Sequence, residues 1–270
     1  MSSGVACQAA ALREGLETSL DIFNSKRIRR SLDFARNDGH EDTTSRLFSS
    51  LHIYHDNSPH SAAMNMAIDE ALLEHATVAS IRFYRWHSPA LSFGYFGRFA
   101  DVGHYAAGRN LVRLWTGGGT VFHGNDLTYS IVIPANDPAF AESSMSIYEK
   151  IHRALREALI GMGGHAQLAT PNSAVTDRRY SEGACFANPV RADVMVNGCK
   201  VAGAAQRRTR AGLLHQGSIQ GVNFGNGLPE RFAKELSKNC GEKKIDNELL
   251  DRAREIAGKK YATQDWLRRR

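Results

Sequence analysis

The 270-residue sequence predicts an α+β fold: a mixed, largely antiparallel sheet domain closed by a short helical C-terminal tail. Two observations carry this. The apolar period changes repeatedly between two and nearly four residues without the regular βαβ alternation of a doubly wound sheet. Asn197-Gly198, set between two alternating segments, is the chain's strongest short hairpin signal.

Taken in order, Leu51 to Tyr54 alternates and begins the globular part. Asn57-Ser58-Pro59 reads as a helix cap with proline at the first helical position, and the helix over 61–75 buries Met64, Ile68 and Leu72 while Asp69 and Glu70 point elsewhere. Ile81 to Trp86 and Ala90 to Tyr95 read as two strands joined by the turn His87-Ser88-Pro89. Leu111 to Trp115 and Thr120 to His123 are strands on either side of Thr116-Gly117-Gly118-Gly119, and Leu127 to Ile133 is another. Ser146 with Glu149 makes a capping-box pattern, so the stripe Ile147, Ile151, Leu155 and Leu159 predicts a helix over 146–162. Asp193 to Val196, Lys200 to Arg207 and Leu213 to Ile219 are strands. From Pro229 the period is helical, predicting two short helices.

With 42% hydrophobic and 23% charged residues the composition is that of an ordinary globular protein, and no apolar run approaches a membrane span. Residues 1–50 hold seven acids and seven bases with little periodicity, and are expected to be a disordered leader or to precede the true start. The globular domain is expected over 51–228 and a basic tail over 229–270, which carries most of the +6 net charge. That tail has no interleaved aromatics or nucleic-acid motif, so an acidic protein partner suits it better than nucleic acid. Cys7, Cys185, Cys199 and Cys240 form no CxxC pair, and without a secretory signal they are expected as reduced thiols in the cytoplasm. The histidines show no ligand spacing, so no metal is expected.

Three consecutive glycines let backbone approach a ligand closely, although a lone triplet is more often only a tight loop, and no GK[ST] follows to make a phosphate-binding P-loop. The setting adds information. Arg113 to His123 (RLWTGGGTVFH), Lys200 to Arg208 (KVAGAAQRR) and Leu214 to Ile219 (LHQGSI) together resemble the signature of the lipoate/octanoate protein ligase superfamily, over about residues 52–222. The resemblance implies a catalytic domain of the biotin/lipoate protein ligase type with an elongated acyl tunnel. It places Arg113, Gly117, Gly118, Gly119, His123, Gly203, Ala204 and Gln206 around the substrate. Leu114 stands where the family usually has a second arginine, and Ala204 where it usually has serine.

Ala184-Cys185-Phe186 with Pro189 is similar to a segment of the cysteine/lysine octanoyltransferases, in which the cysteine carries the acyl group. This implies Cys185 as nucleophile and Lys200 as the ammonium that favours its thiolate and steadies the oxyanion. Strand alternation puts Lys200 on one face with Ala202 and Ala204 and turns Cys199 away. The resemblance implies two activities. One moves an octanoyl (or lipoyl) group from acyl carrier protein to a lysine of a lipoyl domain or glycine-cleavage H protein, with no cofactor; the other is an ATP-dependent lipoate ligase requiring ATP and Mg. A tail of this length is short for the accessory domain of such ligases, and its Lys243, Lys244, Lys259 and Lys260 would suit an acidic carrier.

Overall fold

The computed structural model describes residues 46–170, 189–222 and 227–269, and the compact unit it forms spans Arg46–Arg270. Cys7, Cys185 and nearly all of the expected leader lie outside the described residues.

The main sheet has eight strands: β1 (Leu51–Asp56), β2 (Ser80–Tyr84), β6 (Leu127–Pro134), β7 (Ala166–Leu168), β8 (Val194–Val196), β9 (Cys199–Arg208), β10 (Gly212–Ile219) and β11 (Cys240–Lys243). Their order is β11-β1-β2-β6-β10-β9-β8-β7. A second sheet holds β3 (Ala90–Phe93) between β4 (Asn110–Arg113) and β5 (Thr120–His123). The longer helices and the C-terminal one are α1 (Ala62–His75), α2 (Ser144–Ile160), α3 (Leu228–Leu236), α4 (Asn247–Ile256) and α5 (Gln264–Arg268). The mixed-sheet α+β class is therefore as predicted, and the Asn197-Gly198 turn, with φ of 49° and 72°, joins β8 to β9 as an antiparallel hairpin.

Both faces of the main sheet are covered. On one, Ile147, Ile151, Leu155 and Leu159 of α2 and Phe232 and Leu236 of α3 pack on Tyr129, Ile131 and Ile133. On the other, α1 packs on Val132 and Leu214 and is itself covered by Leu249, Ala253 and Ile256 of α4. Every residue of the central strand β6 is consequently buried.

Several local expectations are corrected. The 81–86 and 90–95 segments do not pair as a hairpin: β2 joins the main sheet, and β3 leaves it to seed the small one. The two strands around the glycine loop do not pair with each other either, since both flank β3. The cap of α1 is Ser61, whose Oγ accepts from the Met64 amide at 3.2 Å, and that of α2 is Ser143, whose Oγ accepts from the Ser146 amide at 3.1 Å. The tail is no appendage. Residues 240–243 form a strand parallel to β1, and α4 completes the core beneath α1. Cys-Gly-Glu-Lys at an exposed sheet edge has no alternation by which a strand could be read.

Because α1 is sandwiched, its polar residues are buried as well. Asp69 is fully buried, and its carboxylate accepts from Arg82 Nη1 at 2.8 Å, Ser130 Oγ at 2.7 Å and Gln216 Nε2 at 2.7 Å. The same guanidinium donates to Asp56 Oδ2 from Nε at 2.9 Å and Nη2 at 2.7 Å. Replacing Arg82 would leave two buried carboxylates without their cation. Arg82→Met is expected to lower unfolding free energy by about 3–5 kcal/mol, measured by urea titration; a loss under about 1 kcal/mol would mean that the pair behaves as a solvated one.

Candidate active site

An apolar cavity opens between the two sheets. Gly117, Gly118 and Gly119 form one wall, Gly203, Ala204 and Ala205 of β9 the facing one, with Met66, Trp86, Leu114 and Val121 between them. Gly118 has φ of 90°, which strains any side chain there, and a Cβ would also crowd Ala205 Cβ of the opposite wall at 3.1 Å.

A bulge brings Lys200 beside Gly203 of this wall. Val194 pairs with Ala202 but Met195 with Lys200, leaving Val201 as an extra residue. Val201 and Ala202 both enter the main core, so alternation is broken and Lys200 lies on the face of Gly203. The expected grouping of Lys200 with Ala202 and Ala204 is thereby corrected. A Cβ on Gly203 would lie 2.5 Å from Lys200 Cε and 2.7 Å from Nζ, so the ammonium occupies the place a side chain would take. It is held by Asp193 Oδ2 at 2.7 Å, both groups being buried. Asp193 also accepts from the Val190 amide at 2.7 Å and from Tyr148 OH at 2.5 Å, and Tyr148 OH in turn accepts from the Ala204 amide at 3.2 Å. Burial, with the Asp193 charge added to it, pushes the Tyr148 phenol far up, so it stays a donor.

Gln206 does not line the cavity. It pairs with His215 on the opposite face of the sheet, its Nε2 donating to His215 Nδ1 at 3.0 Å. There it belongs to a buried polar group with His152, whose Nδ1 donates to Ala192 O at 2.7 Å and whose Nε2 accepts from Tyr129 OH at 3.1 Å. Burial holds His152 down at about 4 and His215 well below its usual range. Between pH 6.5 and 4 the unfolded chain thus binds protons that the folded one refuses, so stability falls as pH falls. At pH 4.5 wild type is expected to have lost about 2–3 kcal/mol through His152 alone, and His152→Gln should flatten that slope in urea titrations; an unchanged slope would show that this imidazole is not kept neutral.

His123 lines the cavity beside Ser92. Its Nδ1 bonds Asp126 Oδ2 at 2.8 Å, its Nε2 bonds Ser92 Oγ at 2.8 Å, and the Trp86 ring stacks on it at 4.0 Å. Asp126 further accepts from Thr128 Oγ1 at 2.9 Å, Ser218 Oγ at 2.8 Å and the Gly124 amide at 3.0 Å. Burial works against its charge, but the bonds from His123, Gly124 and Ser218 outweigh that and hold the carboxyl below its usual range.

Arg113 is placed differently from the expectation. Its guanidinium donates to Tyr95 O at 2.8 Å, Gly97 O at 2.6 Å, Trp266 O at 2.9 Å and Arg269 O at 2.7 Å, tying down the end of α5. Its donors are spent on backbone carbonyls away from the cavity lining. Lys260 is likewise committed, with Nζ 2.6 Å from Glu70 Oε2 and 4.0 Å from the Trp115 ring centre, which removes it from the expected docking set. Cys240 Sγ donates to Ala233 O and Ser237 O, and burial raises its thiol, a poor start for a nucleophile. Cys199 stands opposite Val196, which packs against the main core. Sequence reasoning missed Asp193, Tyr148, Ser92 and Asp126; only the His123-x-x-Asp126 spacing offered a local signal. No grouping of three or more metal-ligating side chains occurs among the described residues, and none of their helices is long and apolar enough to cross a membrane.

The family model of the lipoyl protein ligase A/B catalytic domain matches residues 61–244. The chain belongs to this family. Within it, the chain is 36% identical over 176 residues to the octanoyltransferase LipM of Macrococcus caseolyticus, covering 61% of this chain and 63% of that protein. It is 34% identical over 212 residues to the LipM of Anoxybacillus flavithermus, covering 71% of this chain and 76% of that one. For the first of these relatives the match thus spans a little under two thirds of their length. Among solved structures, lipoate-protein ligase A bound with ATP superposes with a TM-score of 0.64 at 21% identity, covering 81% of this chain and 98% of that one. The Thermoplasma acidophilum protein Ta0514 with bound lipoic acid gives 0.63 at 22% identity, covering 80% and 98%. At such identities the superpositions establish the fold.

Proposed function

We propose that this protein is an octanoyltransferase of protein lipoylation, which carries a medium-chain acyl group on Cys185 and delivers it to a lysine of an acceptor domain. The observation that carries the reading is the Lys200 ammonium, fixed by Asp193 in the place of a Gly203 side chain at the wall of an apolar cavity. A cation held at one point beside a site for a hydrocarbon chain is what an acyl-transfer reaction needs where oxyanion charge develops. The likeness to LipM octanoyltransferases supports the same chemistry.

In the first half-reaction the Cys185 thiolate attacks the octanoyl thioester carbonyl, the new C–S bond forms, and the donor thiolate leaves and takes up a proton. In the second the neutral acceptor amine attacks the Cys185 thioester, its surplus proton goes to water, and the Cys185 thiolate departs. Lys200 faces the oxyanion in both. The acyl group passes between two thioesters of similar energy and then downhill to an amide, so ATP is not consumed. The likeness to LipM octanoyltransferases favours this over the ATP-dependent ligase. Octanoyl-acyl carrier protein is the proposed donor, and a lipoyl domain or glycine-cleavage H protein the proposed acceptor.

Purified protein mixed with octanoyl-carrier and acceptor, with and without ATP, is the test, read by intact mass. Octanoylated acceptor without ATP, lost in Cys185→Ala, is expected; lipoate attachment that requires ATP and survives this substitution would overturn the reading.

A further inference from the structure

We propose that Ser92, His123 and Asp126 form a second acyl-handling centre in the same cavity, a serine nucleophile with its base and orienting carboxylate, which hydrolyses medium-chain acyl esters and thioesters. The inference does not depend on Cys185. It rests on three placements.

The first is the hydrogen-bond order. With Asp126 held as a carboxylate by its other donors, the Nδ1 proton of His123 points to it, and Nε2 is left to accept from Ser92 Oγ at 2.8 Å. This is the order found in serine acyl-transfer enzymes, which are recognised by geometry and not by position in the chain. The second is rigidity. The Trp86 ring, stacked at 4.0 Å and itself anchored by its Nε1 donating to Thr128 Oγ1 at 2.7 Å, prevents the imidazole from turning.

The third is location. Ser92 and His123 line the cavity together with the backbone of Gly117 to Gly119, whose amides are candidates to receive an oxyanion. Ser218, which donates to Asp126, stands directly opposite Gly203 in the β9–β10 pair, so the carboxylate lies one strand spacing and one hydrogen bond from the position of Lys200. A purely structural brace could use the same bonds, but it would have no need of a hydroxyl and an imidazole edge at the cavity wall facing the glycine backbone.

In the reaction Ser92 Oγ bonds to the acyl carbonyl carbon while its proton passes to His123 Nε2. The carbon–sulfur or carbon–oxygen bond of the substrate breaks, and the leaving group takes the proton. Water then attacks the O-acyl-Ser92 ester, giving one proton to His123 and the carboxylic acid as product; Ser92 recovers its proton from the imidazole. The balance is thioester plus water to acid plus thiol.

The full chain is treated with an octyl fluorophosphonate and digested, and the modified residue is found by peptide mass. Hydrolysis of p-nitrophenyl octanoate is followed in a Cys185→Ala background, which removes the cysteine route. The adduct is expected on Ser92, and adding Ser92→Ala should abolish it and reduce hydrolysis by about 100-fold or more, with the far-UV spectrum unchanged. Asp126→Asn should lower kcat and leave KM unaltered, which a merely structural contact would not do. An unmodified Ser92 in the wild-type chain, or hydrolysis that persists in Ser92→Ala, overturns the proposal.

Discussion

Gly203→Ala is expected to reduce octanoyl transfer by about 100-fold while the chain still folds. The reasoning is steric and local. The added methyl would sit 2.5 Å from Lys200 Cε and 2.7 Å from Nζ, well inside van der Waals contact, so one group has to move. The backbone of β9 is pinned between β8 and β10, whereas the Lys200 side chain is flexible, so the ammonium is what gives way. A shift of about 1 Å is enough to misalign a charge that acts on a developing oxyanion. Steady-state kinetics should show the loss in kcat, with donor KM within about threefold of wild type. A full-rate Gly203→Ala enzyme would mean that the ammonium has no role at the place it occupies.

Lys200→Met should lower kcat by about 10²–10³-fold and, separately, unfolding free energy by about 3–5 kcal/mol. Methionine keeps most of the volume and removes only the charge, leaving Asp193 buried beside Tyr148 with no cation. The two losses separate in the double variant Lys200→Met/Asp193→Asn. Neutralising the orphaned carboxylate should restore much of the stability in urea titrations but none of the turnover. Recovery of activity together with stability would show that Lys200 serves the fold alone.

What could be read in the sequence and what could not follow from how locally each feature is encoded. The Asn197-Gly198 turn and the α2 stripe are short-range signals, and both were placed correctly. The Lys200 face was misread because the β9 bulge depends on a neighbouring strand, and a single extra residue reverses every side chain after it. The strands on either side of the glycine loop are legible as strands, but that each pairs with β3 is a choice that no local pattern contains. Asp69 reads only as lying off the apolar stripe, and its burial is not legible because its partner Arg82 lies on a strand and its cover, α4, comes from the far end of the chain.

The candidate site shows the same division. The glycines, Lys200 and His123 are legible as residues because the motifs carry them; the glycines and His123 line the cavity, and Lys200 lies beside Gly203 of its wall. Arg113 and Gln206 belong to the same motifs but serve the α5 carbonyls and His215, and residue identity alone does not reveal which way a side chain turns. Asp193 and Tyr148, which position the ammonium, come from a strand edge and a helix that only the fold brings together.

The account stands most directly on whether residue 185 carries the acyl group. Enzyme mixed with octanoyl-carrier in the absence of acceptor, quenched at low pH and digested, should yield the peptide containing Cys185 heavier by one octanoyl group. That mass should vanish on treatment with neutral hydroxylamine and on addition of acceptor. An octanoyl group found only on another residue, or an acceptor octanoylated at full rate by Cys185→Ser, would contradict it.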